Sequence, residues 1–132
     1  LTLMTDYDLL ILGISTWDFG ELQEDWEAHW DDIKDVDLNG KIVAIYGMGD
    51  QLGYAEWFQD AVGMLHQAIA PQDCVRIGFW PTEGYDFIAS KAATEDGEWF
   101  YGLALDEENQ YDLTDQRLND WLTQLMNELI AL

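Results

Sequence analysis

Asp-Leu-Leu-Ile-Leu-Gly-Ile at residues 8–14 and Lys-Ile-Val-Ala-Ile-Tyr at residues 41–46 are the two segments that decide the fold. Each is a short, nearly continuous apolar run, which is typical of a parallel strand buried on both faces. Between them, from Glu21, apolar residues recur at intervals of three and four among acids, and this spacing predicts an amphipathic helix. The order strand, helix, strand predicts an α/β domain built on a parallel sheet.

Each of these predicted strands leads into a loop that carries aromatic residues. The first loop, residues 15–20, is Ser-Thr-Trp-Asp-Phe-Gly, and the second, residues 47–54, is Gly-Met-Gly-Asp-Gln-Leu-Gly-Tyr. Because the carboxyl ends of parallel strands meet at one edge of a sheet, we expect Trp17 and Tyr54 to lie near each other. Two rings surrounded by backbone amides and carbonyls can hold a flat heterocycle between them and bind its polar edge. The sequence therefore predicts a site for a planar ligand.

The remaining segments complete a small α/β domain. Apolar spacing predicts one helix over 54–70, ended by Pro71, and a last helix over 114–132. A third strand is predicted over 74–80, and a short apolar strand over 102–105. The region between these strands is rich in turns, as if one edge strand were split by an insertion.

Composition and charge narrow the class of protein. The chain has 132 residues, 48% of them apolar, which is enough for one domain with its own core. With a formal net charge of -22, nucleic acid and anionic membrane surfaces would repel it, so its protein partners should be basic. Cys74 is the only cysteine, which rules out an intramolecular disulfide and makes a reducing cytoplasm the simplest setting.

The two loops, taken with Leu-Ala-Leu-Asp-Glu at 103–107, resemble the flavodoxins, specifically the long-chain type, over residues 7–132. The resemblance implies a flavodoxin-like, three-layer α/β fold with a doubly wound parallel sheet of strand order 2-1-3-4-5. It implies a single domain over 1–132, with the long-chain insertion at 82–102 inside the last strand. The family's first strand, phosphate loop, first helix and second strand have no counterpart in the sequence, so we expect an N-terminally incomplete domain that binds flavin weakly.

The same resemblance implies a function. Flavodoxins are low-potential one-electron carriers that use non-covalently bound FMN between a basic NADP-linked reductase and ferredoxin-type acceptors. They are electron-transfer proteins and not enzymes. The chain is consistent with this, because it shows no nucleophile with a paired base, no set of metal ligands and no nicotinamide-binding fingerprint.

The resemblance also assigns roles within the loops. Trp17 and Tyr54 would lie against opposite faces of the isoalloxazine ring, and Asp50 would bind its pyrimidine edge near N3. The carbonyl of Asp18 would accept a hydrogen bond from N5 once that nitrogen is protonated, and Gly20 would leave the turn free to rotate. The full set of implied cofactor-binding residues is Ser15, Thr16, Trp17, Asp18, Phe19, Gly20, Gly47, Met48, Gly49, Asp50, Tyr54 and Gln59.

Two other functions are compatible with the sequence. The chain could be a flavodoxin remnant that does not retain FMN, because the family's phosphate loop has no counterpart. It could also be an acidic module that occupies a basic surface without a cofactor. The second hypothesis predicts that replacing Trp17 or Tyr54 leaves partner binding intact, whereas reversing the charges between Glu21 and Asp35 abolishes it.

Overall fold

The computed structural model describes all residues, 1–132, and contains seven strands and four α-helices, with short 3-10 helices at Thr2–Asp6 and Tyr111–Leu113. None of its helices combines the length and the apolar character that crossing a membrane requires. In chain order the elements are β1 (Leu9–Trp17), β2 (Glu21–Leu22), α1 (Glu24–Ala28), α2 (Trp30–Ile33), β3 (Ile42–Met48), α3 (Asp60–Ile69), β4 (Val75–Arg76), β5 (Trp80–Pro81), β6 (Trp99–Phe100), β7 (Leu103–Leu105) and α4 (Thr114–Ile130).

The main sheet is organised around β3. Strand β1 pairs with β3 in parallel, from Leu9 opposite Ile42 to Ser15 opposite Met48. The other edge of β3 pairs in parallel with two strands in succession, first with β4 and then with β7. The short β2 pairs antiparallel with the end of β1. Strands β5 and β6 form a separate two-stranded antiparallel sheet. The carboxyl ends of β1 and β3 therefore lie side by side, as the sequence predicted.

Helices cover both faces of this sheet. Along β3, side chains alternate, so Val43 and Ile45 join the core beneath α3 while Ala44 joins the core beneath α4. The larger core also contains Leu65 of α3, and the smaller one is closed by Trp121, which is 1% exposed. The result is a three-layer α/β arrangement.

Strand β1 is buried on one face only, which corrects the prediction of a strand buried on both. Leu10, Leu12 and Ile14 lie in the larger core, whereas Leu9 and Ile11 are 37% and 44% exposed. The difference arises because α4 packs mainly over β7 and leaves the outer part of that face uncovered.

Three other predicted elements are shorter in the structure. The segment after Glu21 forms two short helices, and the strand predicted over 74–80 keeps regular pairing only at Val75–Arg76. The helix predicted from residue 54 begins at Asp60, because Gln59 adopts a left-handed backbone with φ of 60°. Residues 51–57 form turns instead, and this leaves Tyr54 on the loop next to β1.

Arg76 closes the gap between β4 and β7. Its Nε donates to the Val43 carbonyl at 3.1 Å, which also accepts the N–H of Ile77, and its Nη2 donates to the Tyr101 carbonyl at 2.8 Å. Its Nη1 contacts Nδ1 of His66, whose ring stacks on Tyr101 with centroids 3.8 Å apart. Burial, and then the charge of Arg76, lower the pKa of His66 to about 4.

This histidine should make part of the stability depend on pH. Between pH 6.5 and about 4, His66 is protonated in the unfolded chain and neutral in the folded chain. Its contribution to the free energy of unfolding is therefore complete above pH 6.5 and is lost as the pH falls towards 4. Allowing for the partial exposure of His66, we expect the free energy of unfolding to fall by about 1–2 kcal/mol more over that pH range than in His66→Gln. Glutamine is chosen because it keeps an acceptor for Arg76. Urea unfolding of both proteins between pH 7 and 4 measures it, and parallel curves would contradict this role of His66.

Candidate functional site

A cavity of about 580 Å³ opens at the carboxyl ends of β1 and β3. It lies between the loop that follows β1 and the loop that follows β3, where the sequence predicted a planar ligand. A third segment, which follows β7, completes the wall. The lining residues are Ser15, Thr16, Trp17, Asp18, Met48, Gly49, Asp50, Tyr54, Glu107 and Glu108.

Two aromatic side chains form part of the cavity wall. Trp17, the last residue of β1, is 46% exposed, and Tyr54 is 37% exposed. Phe19 packs edge-on against Tyr54, with ring centroids 6.0 Å apart, and against Trp57 at 5.1 Å. The tyrosine ring is thus supported by a second aromatic side chain while it remains accessible from the cavity.

The turn after β1 is sharp and closely packed. Asp18 and Gly20 both have left-handed backbones, with φ of 48° and 83°. A Cβ atom at residue 20 would lie 2.7 Å from the Asp60 carboxylate and 3.1 Å from the Trp57 ring, so only glycine fits there. The carbonyl of Asp18 makes no hydrogen bond within the protein and is left as a free acceptor beside the cavity.

One oxygen of the Asp50 carboxylate is engaged both within its own loop and by the segment that follows β7. Oδ1 accepts hydrogen bonds from the N–H groups of Leu52 at 3.1 Å and Gly53 at 2.7 Å, and from Nδ2 of Asn109 at 2.7 Å. The N–H of Asp50 itself has no partner within the protein. The side chain therefore shapes the loop, and the backbone offers a free donor to a ligand.

A buried carboxylate joins the second and third cavity loops. Asp106 is fully buried, and its Oδ2 accepts from both N and Nε2 of Gln51, at 3.0 and 2.7 Å, and from Nδ2 of Asn109 at 2.9 Å. Burial alone would raise the pKa of Asp106, but the hydrogen bonds from Asn109 and Gln51 outweigh it and hold that pKa below its usual value. The carboxylate therefore stays ionised and keeps all its donors.

The charge of the cavity wall is negative. Four of its residues are acids, Asp18, Asp50, Glu107 and Glu108, and none is a lysine, arginine or histidine. Such a wall disfavours an anionic group and accepts a neutral, flat ring with polar edges.

The structure brings most of the residues predicted from the sequence to this cavity, and it places the others around it. Phe19, Gly20, Gly47 and Gln59 lie outside the lining. Gln59 is 1% exposed, and its Nε2 donates to the carbonyls of Gly47 and Leu105, so it supports the loop from beneath. The hydroxyl of Thr16, which does line the cavity, accepts from the N–H of Ala61 at the start of α3.

Sequence reasoning did not place Glu107 and Glu108 at the site. Both residues come after β7, whose carboxyl end lies at the same edge of the sheet as those of β1 and β3. The signal was available in the apolar run at 103–105 with acids after it, because parallel pairing brings the loops after neighbouring strands to one edge.

The fold and the cavity define a doubly wound α/β protein with an open site between aromatic loops at the carboxyl ends of its strands. The chain belongs to the flavodoxin family, whose family model, described as Flavodoxin, matches residues 1–121. It is 60% identical over 127 residues to Flavodoxin 2 of Escherichia coli (strain K12), covering 96% of this chain and 73% of that protein. It is 52% identical over 125 residues to the flavodoxin of Nostoc sp. (strain PCC 7120), covering 95% and 72%.

Solved structures agree with this assignment. The crystal structure of Fusobacterium nucleatum flavodoxin bound to flavin mononucleotide superposes with a TM-score of 0.89 at 32% identity, covering 97% of this chain and 75% of that one. The predicted family and the predicted flavodoxin-like fold with a mostly parallel sheet are confirmed. Flavodoxins are electron-transfer proteins that work with redox partner proteins, so the prediction that the chain is not an enzyme is also confirmed.

Proposed function

We propose that this chain is a low-potential, one-electron carrier that holds FMN non-covalently between Trp17 and Tyr54. The observation that carries the proposal is the cavity of about 580 Å³ that these two residues line at the carboxyl ends of β1 and β3. When bound there, the flavin supplies a group that accepts and releases electrons one at a time. Family membership supports this function over the two alternatives, a remnant without FMN and an acidic binding module.

The polar groups around the cavity suit the edge of an isoalloxazine ring. The free carbonyl of Asp18 provides an acceptor, and the free N–H of Asp50 provides a donor, on loops that follow different strands. The unpaired carbonyl in a turn with glycine at position 20 is suited to accept a hydrogen bond from a protonated ring nitrogen. Gln59 acts from outside the cavity, because its hydrogen bonds to the carbonyls of Gly47 and Leu105 hold the start of the second loop in place.

The negative charge of the cavity wall determines the direction in which the redox potential of the bound flavin is shifted. Carboxylates beside the ring disfavour added negative charge, which makes full reduction harder and lowers the potential. The same carboxylates make this part of the cavity a poor place for a phosphate. We therefore assign the ring of FMN to these ten residues and place its phosphate outside them.

We also propose that residues 1–132 form one flavodoxin-like domain with a long-chain insertion at 82–102. Both β4 and β7 pair with the same edge of β3, so they act as two halves of one edge strand. The segment at 82–102 lies between these halves in the sequence and includes β6.

The proposed partners are a basic NADP-linked reductase and ferredoxin-type electron acceptors in the cytoplasm. The net charge of -22 and the four acids of the cavity wall favour basic surfaces and would steer them towards the exposed edge of the ring. Because such steering is electrostatic, partner association should slow steeply as the salt concentration rises.

Removing the charges of Glu107 and Glu108 tests this function. We expect the double change Glu107→Gln and Glu108→Gln to raise the potential of the second electron step by about 30 mV per charge, by Coulomb's law in a largely aqueous setting. Anaerobic reductive titration of the FMN-loaded chain, followed by visible absorbance, gives both potentials.

Asp35→Asn is the control, because Asp35 is an exposed acid that precedes β3 and does not line the cavity. It should leave the potentials within a few millivolts. If the double change does not shift the potential of the second electron step, or if Asp35→Asn shifts it equally, then Glu107 and Glu108 do not set this potential.

A further inference from the structure

We infer that Asn109 is a positioning residue that fixes the Gly49–Tyr54 loop at the cavity by joining the Asp50 carboxylate of that loop to the Asp106 carboxylate. The inference rests on the proposed function, because what Asn109 positions is the loop that carries Tyr54. Asn109 does not line the cavity and was not among the residues that the sequence suggested.

The contacts of Asn109 carry this inference. One atom, Nδ2, donates both to Oδ1 of Asp50 at 2.7 Å and to Oδ2 of Asp106 at 2.9 Å. The two acids belong to different loops, and Asp106 is anchored in the core at the end of β7. Gln51 already ties this loop to Asp106 through its N–H and its Nε2, and Asn109 adds a separate link that reaches the Asp50 carboxylate.

Tyr54 is tied to the same point through the backbone. The carbonyl of Asp50 accepts the N–H of Tyr54 at 3.1 Å, and its carboxylate accepts the N–H of Gly53 at 2.7 Å. A displacement of Asp50 thus carries the tyrosine backbone with it. Asn109 acts on the ring through this turn and needs no contact with the ligand.

The surroundings of Asn109 make its removal informative. The residue is exposed, so a smaller side chain leaves no buried cavity. Without it, Asp106 keeps both donors from Gln51, and Asp50 keeps Leu52 and Gly53. What is lost is the positive end of the amide dipole between two carboxylates, which then repel each other across the gap between the loops.

The test compares Asn109→Ala with Asn119→Ala in the full 132-residue chain. Asn119 is an exposed asparagine of α4 whose side chain makes no hydrogen bond, which makes it a matched control. In the flavin-free proteins, we expect Asn109→Ala to speed amide hydrogen exchange at Gly53 and Tyr54 about fivefold, with the thermal midpoint nearly unchanged. Asn119→Ala should change neither.

Flavin titration supplies the second readout. We expect Asn109→Ala to weaken FMN and riboflavin binding by the same factor, about fivefold, and to alter the visible circular dichroism of the bound flavin. In a chain that already carries Tyr54→Ala, Asn109→Ala should lower the flavin affinity by less than about twofold, because there is no tyrosine ring left to position.

The outcomes separate this inference from the proposed function. If the unmodified chain binds flavin and Asn109→Ala changes neither exchange nor affinity, the inference is overturned while the function stands. If no flavin binds to any variant, the proposed function fails, and the exchange rates at Gly53 and Tyr54 still decide whether Asn109 fixes the loop. An equal loss with and without Tyr54 would also overturn the inference.

Discussion

Replacing Tyr54 with alanine is expected to lower the affinity of the chain for FMN about a hundredfold. Stacking of an aromatic side chain on a flat heterocycle is worth about 1–3 kcal/mol by alanine substitution, and a hundredfold corresponds to about 2.7 kcal/mol. The ring of Tyr54 lines the cavity with Phe19 packed against it, so it is held in place before the ligand arrives. Little further ordering is then needed on binding, and the loss should lie near the upper end of that range.

Quenching of flavin fluorescence during titration measures this effect. Tyr7→Ala is the control, because Tyr7 is exposed and precedes β1, at the far edge of the sheet from the cavity. The control should bind FMN as the unmodified chain does. If the Tyr54→Ala chain binds FMN as tightly as the unmodified chain, the flavin does not lie against this tyrosine. If the chain binds its partner equally well without FMN, the acidic binding module is favoured instead.

Replacing Gly63 with alanine is expected to destabilise the fold by about 2–4 kcal/mol, although alanine is the better helix former by about 1 kcal/mol. Gly63 lies in α3, where the Lys91 segment passes directly over it. A methyl group at this position would lie 2.2 Å from the Lys91 carbonyl oxygen and 2.8 Å from the Ala92 nitrogen. Both are backbone atoms, so the steric overlap can be removed only if α3 and the Lys91 segment move apart.

Chemical denaturation of the two proteins measures the difference in the free energy of unfolding. Gln67→Ala, at an exposed position of the same helix, controls for helix propensity and should stay within about 0.5 kcal/mol of the unmodified chain. A Gly63→Ala protein as stable as the control would mean that the Lys91 segment does not pack closely on α3.

The sheet and the position of the cavity could be predicted from the sequence because they depend on local patterns. Apolar runs at 8–14 and 41–46 formed neighbouring parallel strands, and the loops after them therefore had to meet. Trp17 and Tyr54 were placed at the cavity by that argument alone.

The start of α3 could not be predicted, because a long-range contact decides it. Apolar spacing favoured a helix from residue 54, but Gln59 donates to the carbonyls of Gly47 and Leu105 and adopts a left-handed backbone there. Leu105 is distant in sequence, and nothing in the helical pattern reveals it. Tertiary hydrogen bonds outweighed local propensity at this point.

The role of Asp50 shows the same limit at the site. The resemblance implies that Asp50 binds the pyrimidine edge of the ring, and the structure adds that Oδ1 of its carboxylate accepts hydrogen bonds from Gly53 and from Asn109, 59 residues away. Only the folded arrangement shows that Oδ1 is engaged in this way and that the backbone N–H of Asp50 has no partner within the protein.

Binding of the isoalloxazine ring between Trp17 and Tyr54 is best tested by titrating the unmodified chain with FMN and riboflavin in parallel. We expect one flavin to bind per chain, with quenched fluorescence and a shifted visible absorbance band for both ligands, since the ring contacts the cavity wall in each case. Any preference for FMN would measure the phosphate contacts that lie outside the ten lining residues. Absence of quenching with both ligands, or quenching that persists unchanged when Trp17 and Tyr54 are both replaced by alanine, would contradict this binding site.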